Sequence, residues 1–144
     1  MPTSLARSRS AAFSRQSGRC FYCDLPMWLD HADDFRPRYR LTPAQARQRR
    51  CTAEHLQARQ DGGGNGAANI VAACQKCNQT RHYRKNPPDP GRHRQRVRAR
   101  VKQGRWHPPA VLKALGESLD GIPFVVGSVL PAPTCVVASG RQAG

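Results

Sequence analysis

Two cysteine pairs of identical spacing, Cys20-x-x-Cys23 and Cys74-x-x-Cys77, restrict the fold of this chain more than any other feature. Two such pairs supply the four thiolates of a tetrahedral zinc site, which ties distant segments of a chain together. Either pair taken alone is also compatible with a redox-active dithiol. The presence of two matched pairs favours one structural zinc ion bound by all four cysteines.

The composition leaves the chain little apolar material from which to build a core. Of its 144 residues 38% are hydrophobic, and the chain has 12 glycines and 12 prolines. Burial alone stabilises so small a domain weakly, so we expect a bound ion to contribute. No apolar leader precedes Cys20, which favours a reducing cytoplasmic location. Of the two remaining cysteines, Cys51 is expected to be a small hydrophobic residue of a strand, and Cys135 an exposed thiol in the tail.

The charge of the chain predicts a polyanionic partner. The formal net charge is +15, from 24 Lys and Arg against 9 Asp and Glu. Nucleic acid is favoured over a membrane, because no segment is long and apolar enough to span or anchor in a bilayer. Ten of the basic residues fall between Arg81 and Arg105, where the only acidic residue is Asp89.

Within this basic region, Val97 and Val101 lie one helical turn apart among good helix formers, which predicts a basic helix over 92–103. Pro109 to Leu115 is expected to form a last short helix. The arginines that we expect to contact phosphates on the basic helix are Arg94, Arg96, Arg98 and Arg100.

The middle of the chain predicts a strand, a loop, a second strand and a helix. Apolar and β-branched residues in 51–56 and at 70–71 indicate two short strands, and glycines in 62–64 suit the loop between them. No glycine or proline follows Cys77 until Pro87, which leaves room for about two to three helical turns.

Three side chains in this unit are candidate ligands of a catalytic cation. Asn78 and His82 are four residues apart, so they share one face of the predicted helix. Glu54 supplies a carboxylate from the first strand. Two oxygen ligands with one imidazole suit Mg²⁺ or Mn²⁺ and tolerate other first-row metals. His55 is then available as a general base, because histidine titrates near neutral pH and accepts a proton from water.

This arrangement resembles the HNH, or ββα-metal, endonuclease family, in the subgroup with two zinc-binding CxxC knuckles. The motifs that carry the resemblance are Cys20-Phe21-Tyr22-Cys23, Glu54-His55, Gly62-Gly63, Asn69 and Cys74-x-x-Cys77-Asn78. The resemblance covers about residues 18–84. It implies a small α+β fold, stapled by zinc and similar to a treble clef.

The resemblance also assigns roles to individual residues. His55 matches the general base of the family motif, and Asn69 matches the asparagine that bonds across the loop and holds that base. Asn78 matches the final His or Asn metal ligand. Glu54 occupies the position where the family most often has Asp, so the chain departs from the pattern there. Arg59, Arg81 and Arg84 are candidates to clamp neighbouring phosphates.

These features predict an endonuclease that hydrolyses phosphodiester bonds with one catalytic Mg²⁺ or Mn²⁺ ion and a histidine base. DNA is favoured over RNA as substrate, no small-molecule cofactor is expected, and the protein is either a monomer or a homodimer. Two alternatives remain open. A non-catalytic zinc-knuckle protein would bind nucleic acid without cleaving it, and a toxin or defence effector would use the same chemistry with an immunity partner or a fused recognition domain.

We therefore divide the chain into four expected parts. Residues 1–17 are rich in Ser, Arg and Ala without any acid, which is typical of a flexible basic arm. Residues 18–86 form the nuclease core, with an insertion at 30–50 in which Thr42-Pro43 begins a short helix. Residues 87–115 form a basic helical extension, and residues 116–144 form a disordered tail.

Overall fold

The computed structural model describes residues 1–116, and it has the expected small α+β fold with one two-stranded antiparallel sheet. Apart from Gly116, which ends the last helix, the tail predicted at 116–144 lies outside the described residues. In chain order the elements are α1 (Ser4–Arg15), α2 (Ala32–Arg38), α3 (Pro43–Gln48), β1 (Cys51–His55), a 3₁₀ turn (Arg59–Asp61), β2 (Ile70–Cys74), α4 (Gln75–His82), α5 (Pro90–Lys102) and α6 (Pro109–Gly116).

Strands β1 and β2 pair antiparallel, from Cys51 opposite Cys74 to His55 opposite Ile70. The loop between them turns back sharply after the 3₁₀ turn. Gly62 has a φ of 88°, a left-handed conformation that glycine adopts without strain. A side chain at Gly63 would collide with the carbonyl oxygen of Gln57, so only glycine fits there. The loop therefore needs these two glycines to fold against the end of β1.

The expectation of a flexible arm at residues 1–17 is wrong, because α1 packs against both strands of the sheet. Thr3 caps the helix, and its side chain accepts a hydrogen bond from the backbone N–H of Ala6 at 3.2 Å. Phe13 is buried against the sheet. Gln16 completes the docking with two hydrogen bonds to the backbone of Ala72, at 2.8 and 2.9 Å.

The segment 30–50 contains two helices, α2 and α3. The start of α3 was predicted correctly. Thr42 is its N-cap and forms a capping box with Gln45 in the first turn. Helix α2 was not predicted. Its aromatic residue Phe35 is buried and packs on Tyr39, with 4.6 Å between ring centroids.

The basic helix predicted over 92–103 is present as α5, which begins after Asp89 as its N-cap. Val97 is completely buried, as its place on an apolar stripe predicted. The predicted last helix is present as α6. Between the two helices the chain folds back, so Trp106 is buried against the cysteine-rich part of the core.

Candidate functional site

Four cysteines form a compact, buried cluster. The sulfur atoms of Cys20, Cys23, Cys74 and Cys77 all lie within 4.8 Å of one another, and the four side chains are buried. Thiolates bound to one tetrahedral zinc ion lie about 3.8 Å apart, which follows from a Zn–S distance of about 2.3 Å. The cluster therefore has the ligand type, number and spacing that a structural zinc ion requires. None of the four forms a disulfide.

Secondary structure explains why these cysteines meet. The first pair lies in a tight turn that an isolated bridge between Arg19 and Pro26 closes. Cys74 ends β2 and is also the N-cap of α4, so Cys77 follows in the first helical turn. The cluster thus joins the turn at 20–23 to the junction between the sheet and α4.

A buried arginine that sequence analysis did not single out lies against the cluster. The Arg49 side chain is completely buried, and its Nη1 lies 3.2 Å from the Cys74 sulfur and 3.5 Å from the Cys23 sulfur. It also donates hydrogen bonds to the carbonyl oxygens of Leu25 and Pro26, at 2.8 to 3.0 Å. A zinc ion with four thiolates carries a net charge of about −2. The guanidinium offsets part of that charge inside the core.

The cysteines differ in how readily they become thiolates. Burial alone raises the pKa of Cys23 and of Cys74, but hydrogen bonds from neighbouring cysteines and the charge of Arg49 outweigh it, so both pKa values are lowered. For Cys20 and Cys77 burial dominates, and the pKa of each is raised. The two cysteines that face the arginine are thus prepared to bind a cation.

Two further side chains border this cluster. The indole N–H of Trp106 donates a hydrogen bond to the Cys77 sulfur at 3.2 Å. The Nε2 of His107 lies 3.2 Å from the Nη1 of Arg49. Burial, together with the charge of Arg49, lowers the pKa of His107. The ring is therefore neutral at physiological pH and accepts a hydrogen bond from the arginine.

A second, open site lies on the other side of the sheet and α4. This cleft, with a volume of about 940 Å³, runs between the end of β1, the glycine loop and α4. The structure brings the predicted base and all three predicted cation ligands into it: His55, Glu54, Asn78 and His82. The predicted phosphate contacts Arg59, Arg81 and Arg84 also line it.

Glu54 is the most constrained residue of the cleft. Its side chain is 1% exposed, and its Oε1 atom forms an ion pair with the guanidinium of Arg81. The Tyr22 hydroxyl donates a second hydrogen bond to Oε1 at 3.2 Å. Burial and the nearby carboxylate raise the pKa of Tyr22 well above its ordinary value, so the hydroxyl keeps its proton. The Nε2 of His82 lies between the two carboxylate oxygens, 3.1 Å from Oε1 and 3.2 Å from Oε2.

Asn78 lies one helical turn before His82 on α4. Its Nδ2 donates to the hydroxyl of Thr52 at 2.9 Å and to the carbonyl oxygen of Ala53 at 3.3 Å. Both hydrogen bonds from Nδ2 are made to residues of β1, so they fix the orientation of the amide. Across residues 1–116, the four cysteines are the only cluster of three or more His, Cys, Asp or Glu ligands. The histidine and acidic side chains that line the cleft do not form such a cluster.

The loop residues hold His55 differently from what the family resemblance implied. Asn69 does bond across the loop: it pairs with the backbone of Gln57 in both directions, at 2.8 and 3.0 Å. The ring of His55, however, is contacted by Asn65, whose Oδ1 lies 2.9 Å from Nε2. Sequence analysis missed Asn65, because a single asparagine in a glycine-rich loop is ordinary turn chemistry.

The cleft arginines fall into two groups. Arg59 and Arg84 are exposed at its rim. Arg81, in contrast, is 6% exposed, and its Nε donates to the carbonyl oxygen of Pro88 at 3.0 Å. The guanidinium of Arg81 is already bound to Glu54. Arg81 therefore stabilises the fold and is not available to clamp a phosphate.

The arginines of α5 also divide. Arg94 lies over the ring of Phe21, with 4.5 Å from its guanidinium carbon to the centroid, and Arg98 donates to the carbonyl oxygen of Tyr22 at 3.2 Å. Both thus attach α5 to the cysteine turn. Arg96 and Arg100 are exposed, together with Arg92, which sequence analysis did not include. These three are spaced four residues apart, so they lie along one face of the helix.

The fold and the two sites define the class of this protein: a small ββα domain with a buried cysteine cluster and a polar cleft lined by two histidines, one asparagine and three arginines. Residues 43–84 match the family model described as HNH endonuclease, which confirms the resemblance seen in the sequence. The matched segment begins at α3 and ends just after α4. No curated protein and no solved structure matches the chain. None of the described helices is long and apolar enough to cross a membrane.

Replacing Cys74 with Ser tests the metal centre. Native mass spectrometry of the wild-type protein should show one tightly held Zn²⁺ per chain, and Cys74→Ser should lose the ion and much of its helical circular dichroism, because metal binding is coupled to folding. Cys51→Ala is the matched control, because Cys51 is equally buried in β1 but lies outside the cluster. A folded wild-type protein without zinc, or with Cys20 disulfide-bonded to Cys23, would contradict the assignment.

Proposed function

We propose that this protein is a metal-dependent endonuclease that hydrolyses phosphodiester bonds in nucleic acid, with DNA as the favoured substrate. The observation that carries the proposal is that Glu54, His55, Asn78 and His82 line one open cleft within a segment that matches the HNH endonuclease family. The net charge of +15 adds support, because it suits a polyanionic substrate.

Glu54, Asn78 and His82 are the residues proposed to hold the catalytic cation. Oxygen and imidazole ligands fit Mg²⁺ or Mn²⁺, and the ion would stabilise the negative charge that develops on the phosphate and the leaving oxygen. The contacts of Glu54 leave one oxygen for this task. Arg81 and Tyr22 both bind Oε1 and leave Oε2 free of both, while the Nε2 of His82 lies within 3.2 Å of either oxygen.

His55 is the proposed general base, and its hydrogen bonds indicate which nitrogen takes the proton. The guanidinium of Arg59 only donates, and its Nη2 lies 3.2 Å from the same Asn65 atom that contacts His55, so this atom is the amide oxygen. An amide oxygen only accepts, so the Nε2 of His55 carries the hydrogen. Nδ1 is then the nitrogen left to remove a proton from water.

The nucleic-acid surface that we propose differs in part from the one expected from the sequence. Exposed arginines suit phosphate binding, because a guanidinium pairs with phosphate oxygens through two parallel hydrogen bonds. Arg59 and Arg84 would act at the cleft, and Arg96, Arg100 and Arg92 on the outer face of α5. Arg94 and Arg98 would contribute mainly by fixing α5 in place.

A second candidate is the non-catalytic zinc-knuckle protein that binds nucleic acid without cleaving it. The ion pair between Arg81 and Glu54 favours this reading, because it neutralises the buried carboxylate without any bound cation. The two functions differ in one measurable respect. Only the nuclease needs His55 and an added divalent cation.

Supercoiled plasmid distinguishes these functions. Incubated with Mg²⁺ or Mn²⁺, the wild-type protein should relax or linearise the plasmid, and an EDTA control should show no cutting. His55→Ala should abolish cleavage while zinc content and DNA affinity stay close to wild type, since a general base acts mainly in the transition state. His31→Ala is the control, because this exposed histidine lies outside the cleft. Binding in every sample without metal-dependent cutting would favour the non-catalytic protein.

Asn65→Ala tests the proposed orientation of the base. Its cleavage rate under saturating DNA should fall by about 10- to 100-fold, the size of effect usual for side chains that orient another functional group. The metal concentration for half-maximal activity should stay unchanged, because Asn65 is not among the proposed cation ligands. Saturating DNA removes any effect on affinity through Arg59, which Asn65 also contacts. Gln60→Ala is the control on the same loop. Equal rates for the two variants would remove Asn65 from the mechanism.

A further inference from the structure

A second basic pocket lies beside the cleft, between the first turns of α1 and strand β1. Its volume is about 300 Å³. The polar side chains that line it are Thr3, Arg9, Arg50, Thr52 and Gln75. The charge of Asp30 contributes to raising the pKa of Cys51, which lines the pocket. Asp30 itself is exposed and does not line the pocket. The lining thus has two positive charges and no acid.

The two arginines are held in ways that suit an anion. The Nε of Arg9 is buried and has no hydrogen-bond partner among the described residues. A buried guanidinium N–H without an acceptor is costly, so an oxygen atom from a ligand would satisfy it. Arg50 is exposed, and its guanidinium lies 6.0 Å from the centre of the Trp28 ring, which limits its movement.

The pocket adjoins the proposed catalytic cleft at Ala53 of β1. Ala53 lines both the pocket and the cleft. Before it in β1, Thr52 lines the pocket, and after it, Glu54 and His55 line the cleft. Thr52 in the pocket and His55 in the cleft are three residues apart, which is about 10 Å along a strand. One strand of DNA rises about 3.4 Å per nucleotide, so this distance spans about three nucleotides.

We propose that Arg9 and Arg50 bind a backbone phosphate of the nucleic acid, within about three nucleotides of the bond that is cleaved. The proposal rests on the proposed function, because it takes the cleft as the place of the scissile phosphate. It assigns α1 a role in substrate binding as well as in packing. The ligand class is a phosphodiester, which offers oxygen acceptors for both guanidinium groups.

The test measures DNA binding in the absence of cleavage. All proteins carry His55→Ala, and a short labelled DNA duplex is titrated without added divalent cation. Arg9→Gln and Arg50→Gln are compared with Arg7→Gln, on the same helix, and Arg47→Gln, on α3. Both control arginines are exposed and do not line the pocket. Zinc content and thermal unfolding check that each variant is folded, and the exposed Arg50 carries the test if Arg9→Gln is unstable.

Each pocket variant should weaken duplex affinity about tenfold, the effect of losing one charge-assisted hydrogen bond. The controls should change it less than about twofold, because screened surface charges away from the contact contribute little. The double variant Arg9→Gln/Arg50→Gln should also reduce the slope of log K against log[salt] by about 0.9, as expected for one lost phosphate contact.

An equal loss of duplex affinity in all four single variants would show a general effect of charge and would overturn the proposal. Unchanged affinity in the two pocket variants would also overturn it. Inorganic phosphate distinguishes the source of the anion. Suppose that inorganic phosphate raises the midpoint of thermal unfolding only when both pocket arginines are present, and that duplex affinity is the same with or without these arginines. The pocket is then a site for small anions, and the proposal fails. Because the assay measures binding without cleavage, its result can be interpreted even if the protein is not a nuclease.

Discussion

The four-cysteine cluster is the interaction on which the rest of this structure depends. The sheet has only two strands of five residues each, and a two-stranded hairpin by itself is marginally stable in water. The cluster fixes the turn at 20–23 to the end of β2 and the start of α4. Helix α1 covers the sheet, and Arg49 offsets charge beside the sulfur atoms. A thin hydrophobic core is thus supplemented at its centre by metal ligands.

The same cluster positions the cleft. Tyr22 lies between two of the cysteines, and its hydroxyl reaches Glu54 on β1. Helix α4 begins at the other cysteine pair and carries Asn78 and His82 one turn apart. The residues proposed to bind the catalytic cation are therefore held from two directions by the segments that the cysteines join. The proposed zinc site and the proposed catalytic metal site are thus connected through Tyr22 and α4, without sharing a ligand.

The sequence was informative wherever spacing determines geometry. The matched CxxC pairs predicted the cysteine cluster, and the separation of Asn78 from His82 placed both on one helical face. Spacing carries no information about long-range partners. The packing of α1 through Phe13, the buried place of Arg49 and the ion pair that removes Arg81 from the surface all depend on residues that are distant in the chain. Composition made residues 1–17 resemble a solvated arm, although their apolar side fits the sheet.

The most direct test of the whole account is a crystal structure of the zinc-loaded protein soaked in Mn²⁺, with anomalous diffraction recorded at the zinc and manganese absorption edges. The account predicts one zinc peak among the four cysteine sulfur atoms. It also predicts one manganese peak beside Oε2 of Glu54, within bonding distance of His82 and the Asn78 amide oxygen. A cleft in which Arg81 and Glu54 remain paired and no manganese binds at saturating concentration would contradict the proposed catalytic site.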